Sequence, residues 1–228
     1  MNLKRKKSFT IKGSLLLGLL MMFACSEKKQ GEPEQISETL PYYQDASFTP
    51  QWLEEGSLAL EEYHRIPEFS LLNQVGDTIT EKNLDGKLVV ADFFFTTCPG
   101  ICPKMTRNMQ WVQEAFEENP SVLLLSHSVT PEYDSIPVLA KYAKDYDIQG
   151  DKWHLLTGDR KQIYALGRQA YFVEEDLGIP KNEFDFLHTE NFVLLDRQRR
   201  IRGIYNGLNK RSVQQLIDDI KLLLGESS

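Results

Sequence analysis

The sequence predicts an α/β domain with helices on both faces of a central sheet, and three observations predict it. Apolar runs of strand length alternate with stretches of helical periodicity from about residue 68 to residue 224. One run, 88–95, is apolar at nearly every position, as a strand buried on both faces must be. From about residue 60 to 225 the chain offers about 165 residues, enough for one domain with a substantial core. No internal repeat is visible.

The elements follow in order. Residues 68–72 and 78–80 flank the Gly76-Asp77 turn and predict a short hairpin. A strand over 87–95 is followed by a helix over 101–118, on which Met105, Met109, Val112 and Phe116 fall on one apolar stripe that belongs to the core. A strand over 122–129 precedes a helix over 131–146, opened by Pro131, and a strand over 153–157 precedes a helix over 159–169. A short strand is expected over 171–174, then strands over 191–196 and 201–205. The last helix, 210–224, carries Val213, Leu216, Ile217, Ile220 and Leu224 on one face.

Ahead of the domain, Lys4, Arg5, Lys6, Lys7 and Lys12 form a basic head before an apolar stretch over 13–24. That stretch is too short to span a bilayer comfortably. Residues 1–24 therefore read as a signal peptide. The leader ends at Cys25 and resembles a bacterial lipoprotein signal, in which this cysteine is lipidated and becomes the mature N-terminus. Met22 and Phe23 stand where such a signal usually has Leu and a small residue, and an uncleaved anchor is the other reading. Residues 25–50 are polar and rich in turn formers, a tether. Tyr42, Tyr43, Phe48 and Trp52 are expected to dock on the domain, 51–228, as it begins. Removing 1–24 takes away five basic residues and no acid, leaving 21 basic against 33 acidic. A formal charge of −12 makes nucleic acid an improbable partner.

The chemistry concentrates in Thr96-Thr97-Cys98-Pro99-Gly100-Ile101-Cys102-Pro103, which holds two of the chain's three cysteines directly after the apolar strand. Sites in open α/β sheets form at the carboxyl ends of strands. Two cysteines four apart at a helix mouth lie about 6 Å apart at Cα, within disulfide reach. They can cross-link or hold one soft metal ion. Cys98 faces the positive end of the following helix, where free N–H groups favour a thiolate. It is expected to be the more reactive sulfur, with Cys102 one turn further in. A third donor is sought at His188, just before the strand over 191–196. Two thiolates and one imidazole suit Cu(I) and can hold Cu(II), whereas Zn(II) normally takes four ligands. Position alone leaves His188 as readily a surface residue as a ligand. His64, His127 and His154 read as structural.

These residues carry a likeness. The chain resembles the Sco/SenC family, membrane-attached thioredoxin-like proteins that assemble the dinuclear copper centre (CuA) of cytochrome c oxidase. The resemblance runs from Ile66-Pro67-Glu68-Phe69-Ser70-Leu71 through Asp92-Phe93-Phe94-Phe95-Thr96-Thr97-Cys98-Pro99, Cys102-Pro103-Lys104-Met105-Thr106 and Thr157-Gly158-Asp159 to the last helix. It implies a thioredoxin-like fold with a central mixed sheet, and copper held by Cys98, Cys102 and His188. It also implies a membrane-tethered, extracytoplasmic metallochaperone whose partner is a copper-bearing oxidase subunit.

The chain also departs from the family. Leu187 stands where the family often has Asp before its histidine, so a carboxylate that would orient the imidazole is missing or comes from elsewhere. The family's Asp-Pro-Glu-Arg-Asp-Thr becomes Thr130-Pro131-Glu132-Tyr133-Asp134-Ser135, where Glu132 and Asp134 read as N-terminal acids of the next helix. Thioredoxins keep a proline where this chain has Leu187-His188-Thr189, which favours metal binding over plain disulfide reduction. The competing function is an extracytoplasmic thiol-disulfide oxidoreductase, in which Cys98 attacks and Cys102 resolves the mixed disulfide. A peroxidase would want Thr three residues before its cysteine, where Phe95 stands.

Overall fold

The computed structural model describes residues 39–173, 187 and 189–225, all within the unit Ser37–Ser228. The leader, Cys25 and His188 lie outside the described residues. Among the described residues, no helix is long and apolar enough to cross a membrane.

Strand β3 (Leu88–Phe94) has all seven residues buried, and this places it at the centre of a five-stranded sheet. The order is β5-β4-β3-β6-β7, with β4 at Val122–Ser128, β5 at Trp153–Leu156, β6 at Asn191–Leu195 and β7 at Ile201–Asn206. β3 pairs in parallel with β4, and β4 with β5. β6 runs antiparallel to both β3 and β7. The sheet is therefore mixed, as expected. A separate hairpin joins β1 (Ser70–Leu72) to β2 (Thr78–Thr80).

Alternation along β3 sends its side chains into two cores. Leu88, Val90 and Phe94 pack with Met105, Met109 and Val112 of α2 (Cys102–Ala115), Leu139 of α3 (Ile136–Asp145), and Val213, Leu216 and Ile220 of α5 (Lys210–Gly225). Val89, Ala91 and Phe93 pack on the opposite face with Leu71, Ile79 and Ile163, the last from α4 (Arg160–Ala165). On α5 it is Leu223 that completes the buried face, with Leu224 only partly covered.

Three expectations are corrected. The helix expected from 131 starts at Ile136, because Pro137 sits in its first turn. A helix reaching back further would drive the proline ring into a carbonyl four residues earlier. The strand expected over 171–174 is not formed by its described residues. α4 instead runs into a π turn, Leu166–Ala170, closed by Tyr171 N–H to Leu166 O at 2.8 Å and Val173 N–H to Gly167 O at 3.0 Å. Phe172 then takes φ +52. The wider turn brings Gly167 against Leu187 Cδ1, which would stand 2.6 Å from any Cβ there. Finally, α2 ends at Ala115 and not at 118, since Phe116 leaves helical geometry and turns into the core.

The sequence reading did not include a short α1, Leu58–Glu61, capped by Ser57, or a 3-10 turn, Glu81–Leu84, with a Thr80/Asn83 capping box. Tyr42 is buried and Tyr43 N–H donates to Ile201 O at 3.1 Å, while Trp52 stays 57% exposed.

Candidate dithiol and metal site

β3 ends at Phe94 and α2 begins at Cys102, so both cysteines lie where the central strand hands over to a helix. The intervening loop is tight: Cys98 N–H donates to Phe95 O at 3.3 Å. Pro99 precedes the helix, and Pro103 occupies its first turn, where the missing N–H costs nothing. Both thiols are free, Cys98 partly exposed and Cys102 buried.

The two sulfurs differ electrostatically. Burial works to raise the Cys98 thiol, but the backbone N–H groups of Cys102, Gly100 and Ile101 and the Cys102 thiol outweigh it, and its pKa falls below the ordinary value. Burial pushes Cys102 up to about 12; the Phe95 backbone counteracts this in part, and negative charge on Cys98 and Asp92 adds to it. The pair is thus one partly exposed sulfur with a lowered pKa beside one buried thiol with a raised one. That is a soft donor set, and a metal that takes both sulfurs must displace a proton from Cys102.

Asp134 holds this loop in place. It does not serve as a helix-terminal acid, because Ser135 is the N-cap of α3. Its fully buried carboxylate accepts from Thr96 N–H at 3.3 Å, Thr96 Oγ1, Ser128 Oγ at 2.6 Å and Thr130 Oγ1 at 3.1 Å. The ends of β3 and β4 are clamped together two residues before Cys98. Glu132, by contrast, is exposed and pairs with Arg160 at 3.3 Å. Asp134→Ala leaves the buried Ser128 hydroxyl, two partly buried threonine hydroxyls and an N–H unpaired, and is expected to cost about 3–5 kcal/mol. Urea unfolding of the full chain checks it; a cost below about 1 kcal/mol would show that water replaces the carboxylate.

A second acid escaped the sequence reading. Asp92 lies on β3 on the face that carries Val90 and Phe94, in the layer that also holds Cys102. It is 2% exposed, and Oδ1 has no hydrogen-bond partner. Burial raises its carboxyl to about 7, against a lowering contribution from Ser126. Ser126 Oγ in turn accepts from Trp153 Nε1 at 2.8 Å. The available signal was a lone acid inside an apolar run.

A cavity of about 390 Å3 opens beside the dithiol, lined by Phe93, Phe95, Cys98, Cys102, Leu187 and Thr189 among others. Leu187 and Thr189, the described chain neighbours of His188, thus line the same cavity as the cysteines. The other histidines are elsewhere engaged. His127 is buried, stacks on Phe93 at 4.8 Å, and is pushed by burial down to about 4. A ring nitrogen of His64 lies 2.8 Å from Ala170 O, and His154 Nδ1 lies 3.5 Å from Asn73 Nδ2. Among the described residues, no three His, Cys, Asp or Glu side chains cluster as a metal site.

Residues 59–225 match the family model described as SCO1/SenC. A SCO1/SenC family lipoprotein from Bacillus anthracis is similar in structure, with 31% identity, TM-score 0.62, and 71% of this chain and 95% of that one covered. BsSco, described as a member of the Sco family of cytochrome c oxidase assembly proteins with a disulfide switch, matches at 29% identity and TM-score 0.60, covering 72% and 95%. ScoI from Bradyrhizobium japonicum, solved with copper bound, matches at 28% identity and TM-score 0.56, covering 69% and 98%.

Proposed function

This chain belongs to the SCO1/SenC family, and from that premise we propose that it is a membrane-tethered copper metallochaperone for the CuA centre of cytochrome c oxidase. Its cargo is one copper ion, as Cu(I) or Cu(II), held by Cys98, Cys102 and His188 and passed by ligand exchange to the oxidase's copper-bearing subunit. The observation that carries this reading is the cavity in which both cysteines meet Leu187 and Thr189, the residues on either side of His188. The copper-bound ScoI relative supports the cargo, and BsSco supports the assembly role.

In this reading residues 1–24 are a signal peptide and Cys25 carries lipid. Residues 25–50 form the tether that holds the domain, 51–228, outside the cytoplasm. The lipoprotein relative supports the anchor. A bacterial chain so anchored works on the periplasmic side of its membrane.

The difference between the two sulfurs favours a second reading, a thiol-disulfide oxidoreductase that reduces target cysteines. One experiment separates them: Cu(I) competition titration of the full chain, reduced and anaerobic, beside His188→Ala. The expected result is one copper per chain, with affinity in the variant falling by more than the roughly 100-fold that losing a ligand's outer partner costs. Disulfide exchange should persist in the variant. A parent that binds no copper yet cycles a Cys98–Cys102 disulfide would leave the oxidoreductase standing.

A further inference from the structure

At the opposite end of the sheet from the dithiol lies a cavity of about 530 Å3, reached by the N-terminal end of β3 at Leu88. Strand rise places the two ends about 20 Å apart, so this cavity is separate from the copper reading.

Its wall holds an under-used cation. Arg200 is 7% exposed, and its Nε has no hydrogen-bond partner. Nη1 stands 3.9 Å from Asp196 Oδ2, beyond hydrogen-bonding distance. Asp196 Oδ1 is meanwhile engaged by the backbone N–H groups of Gln198 and Arg200, each at 2.9 Å. Burying a guanidinium nitrogen without a hydrogen bond is costly, and burial does depress the Arg200 pKa, against the opposing pull of Asp196. Arg197 lines the same cavity and donates to Leu223 O at 3.1 Å. Arg202, also in the wall, is bound to Leu40 O and Pro41 O. Glu55 and Glu61 line the cavity with exposed side chains, a rim that disfavours polyanions.

We propose that this cavity is an oxyanion site, taking one phosphate group against the Arg200 guanidinium with Arg197 beside it. A guanidinium fork matches phosphate oxygens two at a time. The phosphate can be free or belong to an anionic lipid head group, since Thr39, on the cavity wall, is 14 residues from Cys25 and an extended chain of that length reaches about 50 Å. Only the head-group source rests on the proposed anchor.

The test titrates inorganic phosphate into the full chain in neutral detergent at constant ionic strength, reading the thermal midpoint. A second arm reads the midpoint in phosphatidylcholine vesicles with and without phosphatidylglycerol. Both arms include Arg200→Gln and Arg200→Lys. The parent should show a saturable rise, with apparent affinity at least about tenfold weaker in Arg200→Gln and intermediate in Arg200→Lys. Copper stoichiometry should be unchanged in both variants, so failure here leaves the metallochaperone reading intact. A rise with phosphate alone identifies a free oxyanion, and one with phosphatidylglycerol a head group. No saturable rise in either arm, or one equal in the parent and both variants, overturns the proposal.

Discussion

Cys98→Ser is expected to remove both copper binding and fast thiol exchange, whereas Cys102→Ser should lose copper yet still attack a disulfide and stop at the mixed disulfide. The asymmetry follows from the two environments. Cys98 is partly exposed, and three backbone N–H groups hold its pKa below the ordinary value. Cys102 is buried and held at about 12, so near neutral pH it carries on the order of a thousandfold less thiolate than an ordinary cysteine. Its greater intrinsic nucleophilicity recovers up to about half of that on a logarithmic scale, leaving a deficit of roughly 30- to 60-fold before access is counted. Iodoacetamide alkylation at pH 7, followed by mass spectrometry, reads this directly. Equal alkylation rates in Cys98→Ser and the parent would contradict the assignment of Cys98 as the more reactive sulfur.

The second large effect concerns stability and belongs to Asp92. Its carboxyl is raised to about 7 in the folded chain, chiefly by burial, against about 3.9 when unfolded. The folded state therefore holds a proton that the unfolded state has released between those values. Its stabilising contribution is complete below about pH 4 and is lost as pH rises through 7. Asp92→Asn keeps the shape and removes the ionisation. The variant should match the parent near pH 4 and gain up to about 4 kcal/mol over it above pH 8. Urea unfolding of the metal-free chain at pH 5 and pH 8 measures the difference, and a gain independent of pH would show that ionisation of Asp92 is not its source.

Much of the fold was legible because its strongest signals are local. The run from Leu88 to Phe94 announced a central strand, and the stripe through Met105, Met109 and Val112 announced the face of α2. What failed was decided by packing. A sequence pattern does not reveal the π turn at Leu166–Ala170, because that turn exists to seat Gly167 against Leu187 and Phe93. Pro131 suggested a start for α3 that Pro137, in the first turn of the true helix, forbids, and the buried Asp134 between them is free to clamp Thr96.

The site divides in the same way. The dithiol and its place after a buried strand could be read from the chain alone, since a Cys-Pro-x-x-Cys-Pro spacing at a strand-to-helix junction is a covalent, local fact. The sequence also singled out His188 as a candidate. Folding in three dimensions fixed the rest: Asp92 lies in the layer of Cys102, Asp134 ties two strand ends two residues before Cys98, and Leu187 and Thr189 line the dithiol cavity. It also placed Arg200 in the wall of a second cavity. pKa values, unpaired donors and cavities depend on what surrounds a group in space, and those surroundings come from segments distant in the chain, 38 residues from Thr96 to Asp134 and 161 from Pro41 to Arg202.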